Sequence, residues 1–328
     1  MEMETNNIFQ SRTDLGILHQ NVHALKQEIG KVIVGQDEMV ELLLAAILAD
    51  GHVLIEGVPG VAKTLTAKLL SKCISVDFSR IQFTPDLMPS DVIGTSIFNP
   101  KESTFQFKRG PIFSNIVLID EINRAPAKTQ SALFEVMEEK QVTVDGHSYA
   151  LESPFMVVAT QNPIEQEGTY HLPEAQLDRF LFKILVSYPT QEQEYQVVMH
   201  HHQSNLKDMV AQVGEVLTGA QVESLRQQVR TLHVEPKLIS FITTIVGSTR
   251  NHKSIYLGAS PRASIGILNG AKALAAIRGR DFITPEDVVH ITPSVLRHRL
   301  VLTPEKEMEG ADTDDVIRDI LQQIEVPR

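Results

Sequence analysis

The chain has 328 residues, enough to bury a sizeable core, and ordinary domain sizes make two domains the expectation. Hydrophobic residues make up 42% and charged residues 22%, as in globular proteins; no apolar run reaches a membrane span, and the first thirty residues hold no signal-peptide core. With a single cysteine, Cys73, these features point to a reducing, cytoplasmic compartment without a disulfide framework, and a net charge of −11 weighs against a surface devoted to nucleic acid.

Residues 13–50 read as two helices. Ile17, Leu18, Val22, Leu25 and Ile29, then Met39, Leu42, Leu43, Ala46 and Ile47, recur at spacings of three and four. Between them Val32, Ile33, Val34, Gly35 and Gln36 break the pattern, either as a packing loop or as an apolar seat for a nucleotide base. Residues 53–66, VLIEGVPGVAKTLT, then carry a short apolar strand into a glycine-bearing turn and a helix. This is the outline of a phosphate cradle. Gly57 and Gly60 free the backbone to turn its N–H groups inward, and the helix start adds its positive dipole end. Lys63 suits the β- and γ-phosphates, and the Thr64 hydroxyl suits Mg²⁺. Ala62 stands where the general pattern has a glycine.

The helix is expected over 63–72, and Ser79 to Phe83 reads as a second strand. Two short alternating runs around NPKES, residues 95–108, predict a hairpin. Asn115 to Glu121 is an unbroken apolar run ending in two acids, the pattern of a strand buried on both faces of a parallel sheet. Asp120 then suits the metal shell and Glu121 the attacking water; a solvated helix start is the competing reading. Pro126 opens an amphipathic helix, and Asp145-Gly146 between alternating runs predicts a second hairpin. Another buried strand, Phe155 to Ala159, leads to Asn162, whose amide would lie beside a γ-phosphate unless Asn-Pro merely turns the chain. Arg179 precedes a last strand, Leu181 to Val186, and could sit on a subunit surface.

Beyond Pro189 helical periodicity takes over, with no further strand expected. The boundary therefore falls between residues 1–188 and 189–328. Pro261 and Arg262 start a long Ala-rich helix, and Thr284 to Asp287 is a capped start to another. His200, His201 and His202 follow one another on a helix, point in different directions, and read as solvated surface.

Taken in order, GVPGVAKT, VLIDEINRAPAKTQSALFEVMEE, VVATQNPIEQEGTYHLPEAQLDRFLF and GASPRA resemble the MoxR family of AAA+ ATPases over nearly the whole chain. Within that family Ala62 is no anomaly. The resemblance implies an AAA+ P-loop αβα sandwich, an α/β fold with a five-stranded parallel sheet, followed by an all-α lid domain. It implies ATP and Mg²⁺ as cofactors, with Val34, Gly35 and Gln36 at the base. Gly57, Val58, Pro59, Gly60, Val61, Ala62, Lys63, Thr64 and Leu65 would be at the phosphates. Thr64 and Asp120 would serve the metal, Glu121 the water, and Asn162 the sensor 1 position. Arg179 would be an arginine finger offered to a neighbour's ATP, and Arg262 a lid residue whose phosphate contact is lost on hydrolysis. It further implies a homo-oligomer, with a hexameric ring expected, and a von Willebrand factor A domain protein as partner. A chaperone-like remodeller is the resulting expectation, ahead of a nucleotide-dependent switch or a nucleic-acid motor.

Overall fold

The computed structural model describes residues 15–58, 60–162, 170, 172–203 and 205–327. Helix α1 (Gly16–Gly30) buries Leu18, Val22, Leu25 and Ile29, one stripe at the helical spacing. Gly35, at a φ of +74°, turns the chain into α2 (Asp37–Leu48). Asp37 and Glu38 lie in the first turn of that helix, where its dipole favours anions. Strand β1 (Val53–Gly57) follows, then α3 (Lys63–Cys73), β2 (Phe78–Gln82) and the short α4 (Pro89–Ile93). The expected hairpins are both present. The first is β3 (Gly94–Asn99) with β4 (Thr104–Arg109). After β5 (Ile116–Asp120) and α5 (Ala127–Glu139) comes the second, β6 (Gln141–Val144) with β7 (His147–Ala150). Asp145 and Gly146 both take positive φ at its tip, the geometry of a tight hairpin turn. Then β8 (Met156–Gln161), α6 (Glu174–Leu177) and β9 (Phe182–Val186) complete the α/β part.

Five of these strands form one parallel sheet in the order β2-β5-β8-β1-β9. The strand period of two sends alternate residues to opposite faces. Val53, Ile55, Leu118, Val158 and Phe182 join one core, while Leu54, Val117, Ile119, Val157 and Ala159 join the other. Both faces are covered, which is why β1, β5 and β8 each begin with a run of three or more apolar residues.

The remaining elements are mostly helices. Among the described residues α7 (Gln191–Gln203) and α8 (Leu206–Gln212) bury no side chain at all. In contrast α9 (Gly219–Arg230) and α10 (Pro236–Asn251) place apolar stripes in the same core as α1 to α3. A short strand β10 (Ile255–Leu257) precedes α11 (Pro261–Ile277) and α12 (Pro285–Leu296), whose stripes join that core too. Then β11 (Val301–Leu302), α13 (Pro304–Met308) and α14 (Thr313–Gln323) end the chain. In α11, a Cβ on Gly270 would stand 3.0 Å from the ring of Phe182 on β9, so the helix seats directly on the sheet edge. The pairing of β10 with β11 departs from the all-helical expectation for this region. Strands of three and two residues are too short to leave an alternating pattern in the sequence.

Candidate nucleotide site

The phosphate loop is built from backbone constraints. At Gly57 a Cβ would come within 2.5 Å of the Val186 carbonyl oxygen on β9, so only glycine lets the strand end pass. Gly60 sits at φ +87°, and Ala62 takes the left-handed conformation at φ +60° as the residue preceding α3. The helix opens with no acidic residue in its first turn and no side-chain cap on its N–H groups. Those groups and the dipole end are therefore available to an anion. Pro59 lies outside the described residues.

Lys63, the first residue of α3, donates from Nζ to the Gly57 carbonyl at 2.6 Å, folding back across the loop. Burial pushes its ammonium below the usual lysine range, opposed by the charges of Asp120, Glu121 and Glu56. Asp120, at the end of β5, is nearly buried. It accepts from Thr160 Oγ1 at 3.1 Å and pairs with Arg80 Nε at 2.6 Å. Glu121 turns the chain at φ +57°, donating its backbone N–H to Thr160 Oγ1. Its carboxylate accepts from Gln82 Nε2 at 2.7 Å and lies 3.2 Å from Arg124 Nε. Sequence reasoning missed Arg80, Gln82 and Thr160. Their one signal is position, since β2 and β8 flank β5 and these residues lie near the strand ends beside the acids.

A cavity of about 630 Å³ adjoins the loop. Val34, Gln36, Gly60, Val61, Ala62 and Leu65 form one wall, with Tyr188, Val197, Val198 and Met209 across from them. Such an apolar slot beside an anion cradle suits a purine base with its phosphates. Gly35 turns the chain beside this wall, against the Gln193 side chain. His200 and His201 also line the cavity, with His200 half-buried and His201 and His202 exposed. The exposure of His201 and His202 fits their reading as solvated surface, whereas the periodicity of α7 could not reveal that His200 faces a hollow. The hydroxyl of Thr64 and the carboxylate of Asp120 are hard oxygen donors, the chemistry Mg²⁺ prefers. Asn162 follows β8 directly, one residue past Gln161, which is in register with Glu56 of β1.

Arg179 and Arg262 are brought together, but away from this site. Parallel strands share a carboxyl edge, where Gly57, Asp120 and Asn162 lie, and an amino edge, where β9 begins opposite Val53. Arg179 precedes β9, and the Leu181 N–H next to it binds the His52 carbonyl just before β1. The five residues of β1 separate the two edges by roughly 16 Å. There Arg179 Nη1 pairs with Glu138 Oε2 at 2.6 Å, and Arg262 Nη2 with Glu138 Oε1 at 2.7 Å. Asp178 beside them accepts from Ser260 Oγ at 2.9 Å and from Arg299 Nε at 2.7 Å, tying the lid to the entry of β9. His298 bonds the Phe180 carbonyl; its complete burial and the adjacent Arg299 charge hold it well below the usual histidine range.

Comparisons with known proteins bear on the family and the fold. Residues 52–182 match the ATPase family associated with various cellular activities (AAA), and residues 247–320 match the AAA lid domain. Chaperone MoxR1 of Mycobacterium tuberculosis (strain ATCC 25618 / H37Rv) is 44% identical over 95% of this chain and 84% of its own. The uncharacterised protein YeaC of Bacillus subtilis (strain 168) is 46% identical over 94% of this chain and 96% of its own. A crystal structure from Cytophaga hutchinsonii ATCC 33406, described as a candidate ATPase, superposes with a TM-score of 0.89 at 42% identity, covering 96% of this chain and 97% of that one. The phosphate loop, the paired acids, the parallel sheet and the helical lid thus stand in a chain that belongs to the MoxR family of AAA+ ATPases.

Proposed function

We propose that the protein binds Mg·ATP at the carboxyl edge of its sheet, hydrolyses it, and works as a chaperone-like remodeller assembled from several copies. The observation that carries this is the separation of the site into two halves. Lys63, Thr64, Asp120, Glu121 and Asn162 gather at one edge, while Arg179 and Arg262 stand at the other. Arg179 cannot cross the sheet to its own phosphates, so a second copy must supply it. Because Glu138 holds Arg262 at the same place, the lid arginine serves the neighbour's nucleotide as well, rather than swinging over its own.

In this reading Lys63 exchanges the Gly57 carbonyl for phosphate oxygens, and Glu121 leaves Gln82 and Arg124 to orient the attacking water. The Asn162 amide holds that water against the γ-phosphate, and the incoming guanidinium groups offset the charge that develops there. Thr64 and Asp120 would hold Mg²⁺, which would supply charge neutralisation at the phosphates. The hairpins β3–β4 and β6–β7 would meet the client, and a von Willebrand factor A domain protein would be the partner. A hexameric ring is the expected assembly.

The test is ATPase rate against protein concentration. Specific activity should rise with concentration and be lost in Arg179→Ala, while Glu121→Gln keeps nucleotide binding and loses turnover. Activity indifferent to both concentration and Arg179 would instead favour a nucleotide switch acting as a single chain.

A further inference from the structure

We propose that Glu138 is a positioning residue that holds Arg179 and Arg262 side by side as one two-pronged donor for the neighbouring subunit's nucleotide. The inference rests on the shared-site reading above and goes beyond it, because Glu138 itself would touch no nucleotide.

The argument begins with repulsion. Two guanidinium groups brought close together repel, and Arg262, about half exposed, has open solvent into which it can turn. The Glu138 carboxylate lies between them and spends one oxygen on each. It thereby offsets the repulsion and sets their separation at once. Each guanidinium carries five N–H donors in a rigid fork, so engaging one on Arg262 and two on Arg179 still leaves donors for an anion.

Glu138 is itself well anchored. It is the penultimate residue of α5, between Met137, whose carbonyl accepts from the buried His52, and Lys140, which pairs with Asp50 at 2.6 Å. The negative dipole end of α5 lies at the same spot and favours cations there. One turn earlier the Phe134 carbonyl accepts from Arg179 Nη1, so the same helix end grips that arginine twice. The Asp178 bonds to Ser260 and Arg299 fix the two backbone segments from which the arginines spring. The whole device faces the amino edge, away from the chain's own phosphate loop.

The test uses the full-length protein with Glu138→Ala and Glu138→Gln, the second equal in length but uncharged. We expect kcat to fall about tenfold or more in each, as a misplacement of about 1 Å would produce. Affinity for a non-hydrolysable ATP analogue should stay within about twofold, and the melting temperature should move by less than about 3 °C. Mixing then separates positioning from structure. Glu121→Gln protomers have dead sites but intact arginines, whereas Glu138→Ala protomers have intact sites and misplaced arginines. The mixture should therefore turn over ATP faster than the two alone. Wild-type kcat in both Glu138 variants, with Arg179→Ala inactive, overturns the role of Glu138 and leaves the shared site standing. Loss of kcat without recovery on mixing likewise overturns it, because the defect then lies in the variant's own site. Wild-type, concentration-independent kcat in Arg179→Ala removes the shared site and this proposal together.

Discussion

Ala62 is held at φ +60°, where an L side chain costs about 1 kcal/mol relative to glycine. Glycine at this position would relieve that strain but add roughly 0.5–1 kcal/mol of unfolded-chain entropy. Ala62→Gly should therefore leave the unfolding free energy unchanged or raise it by up to about 0.5 kcal/mol, measured by urea titration. At the sequence level this alanine stood out as a departure from a pattern, and the reason is now a single dihedral angle. Arg80 offers the opposite lesson. Nothing in its neighbours marks it, yet it occupies one oxygen of Asp120, the acid assigned to the metal. Since the Arg80 side chain is 54% exposed, solvent weakens that pair to at most about 1 kcal/mol. Arg80→Ala should accordingly lower the Mg²⁺ concentration needed for half-maximal binding by up to about fivefold, read by metal titration of the nucleotide-bound protein. An unchanged or raised requirement would show that the pair does not compete with the metal.

At the scale of elements, β1 was legible because it opens on three apolar residues, Val53 to Ile55, and ends in glycine. The last residues before it were not. His52 is buried, accepts the Val157 N–H on Nδ1 and donates from Nε2 to the Met137 carbonyl, joining β1, β8 and α5 as a neutral ring. Burial pushes it down to about 4 from its ordinary 6.5. Between those values the unfolded chain binds a proton that the folded chain refuses, so stability falls as pH drops through that window. The expected slope is about 1.4 kcal/mol per pH unit from His52, and buried His298 adds loss of the same sign. Urea midpoints from pH 7.5 down to pH 4.5, together with a shallower slope in His52→Gln, check this. A polar residue before a strand looks like any loop position; what makes it structural is contact with carbonyl and amide groups far away in sequence. The hairpins were read correctly from Asp145-Gly146 and the NPKES turn, because tight turns are local. Short strands β10 and β11 were missed because their pairing is not.

For the whole molecule, the fold class was readable from the order of its motifs, while the relation of its parts was not. The sequence divides naturally near residue 188. In the folded chain the apolar stripes of α9 to α12 fuse with those of α1 to α3 into one core beneath the sheet. Heating should therefore give one transition, coincident by far-ultraviolet circular dichroism and tyrosine fluorescence. Two separated transitions would mean that the lid folds as a unit of its own. The same fusion explains why Arg262 lies where periodicity could not put it. A helix stripe tells which side is buried, but only three-dimensional packing tells which edge of the sheet it is buried against.

Helices α7 and α8 contrast with that fused core: they border the cavity beside the phosphate loop yet, among the described residues, bury none of their own side chains. Segments with so few buried contacts open at little free-energy cost. On the proposed shared site, nucleotide exchange and nucleotide turnover would be governed by different joints, the first by a loosely held door and the second by a strut reaching from next door. Each rate could then be tuned by evolution, or by an experimenter, without disturbing the other.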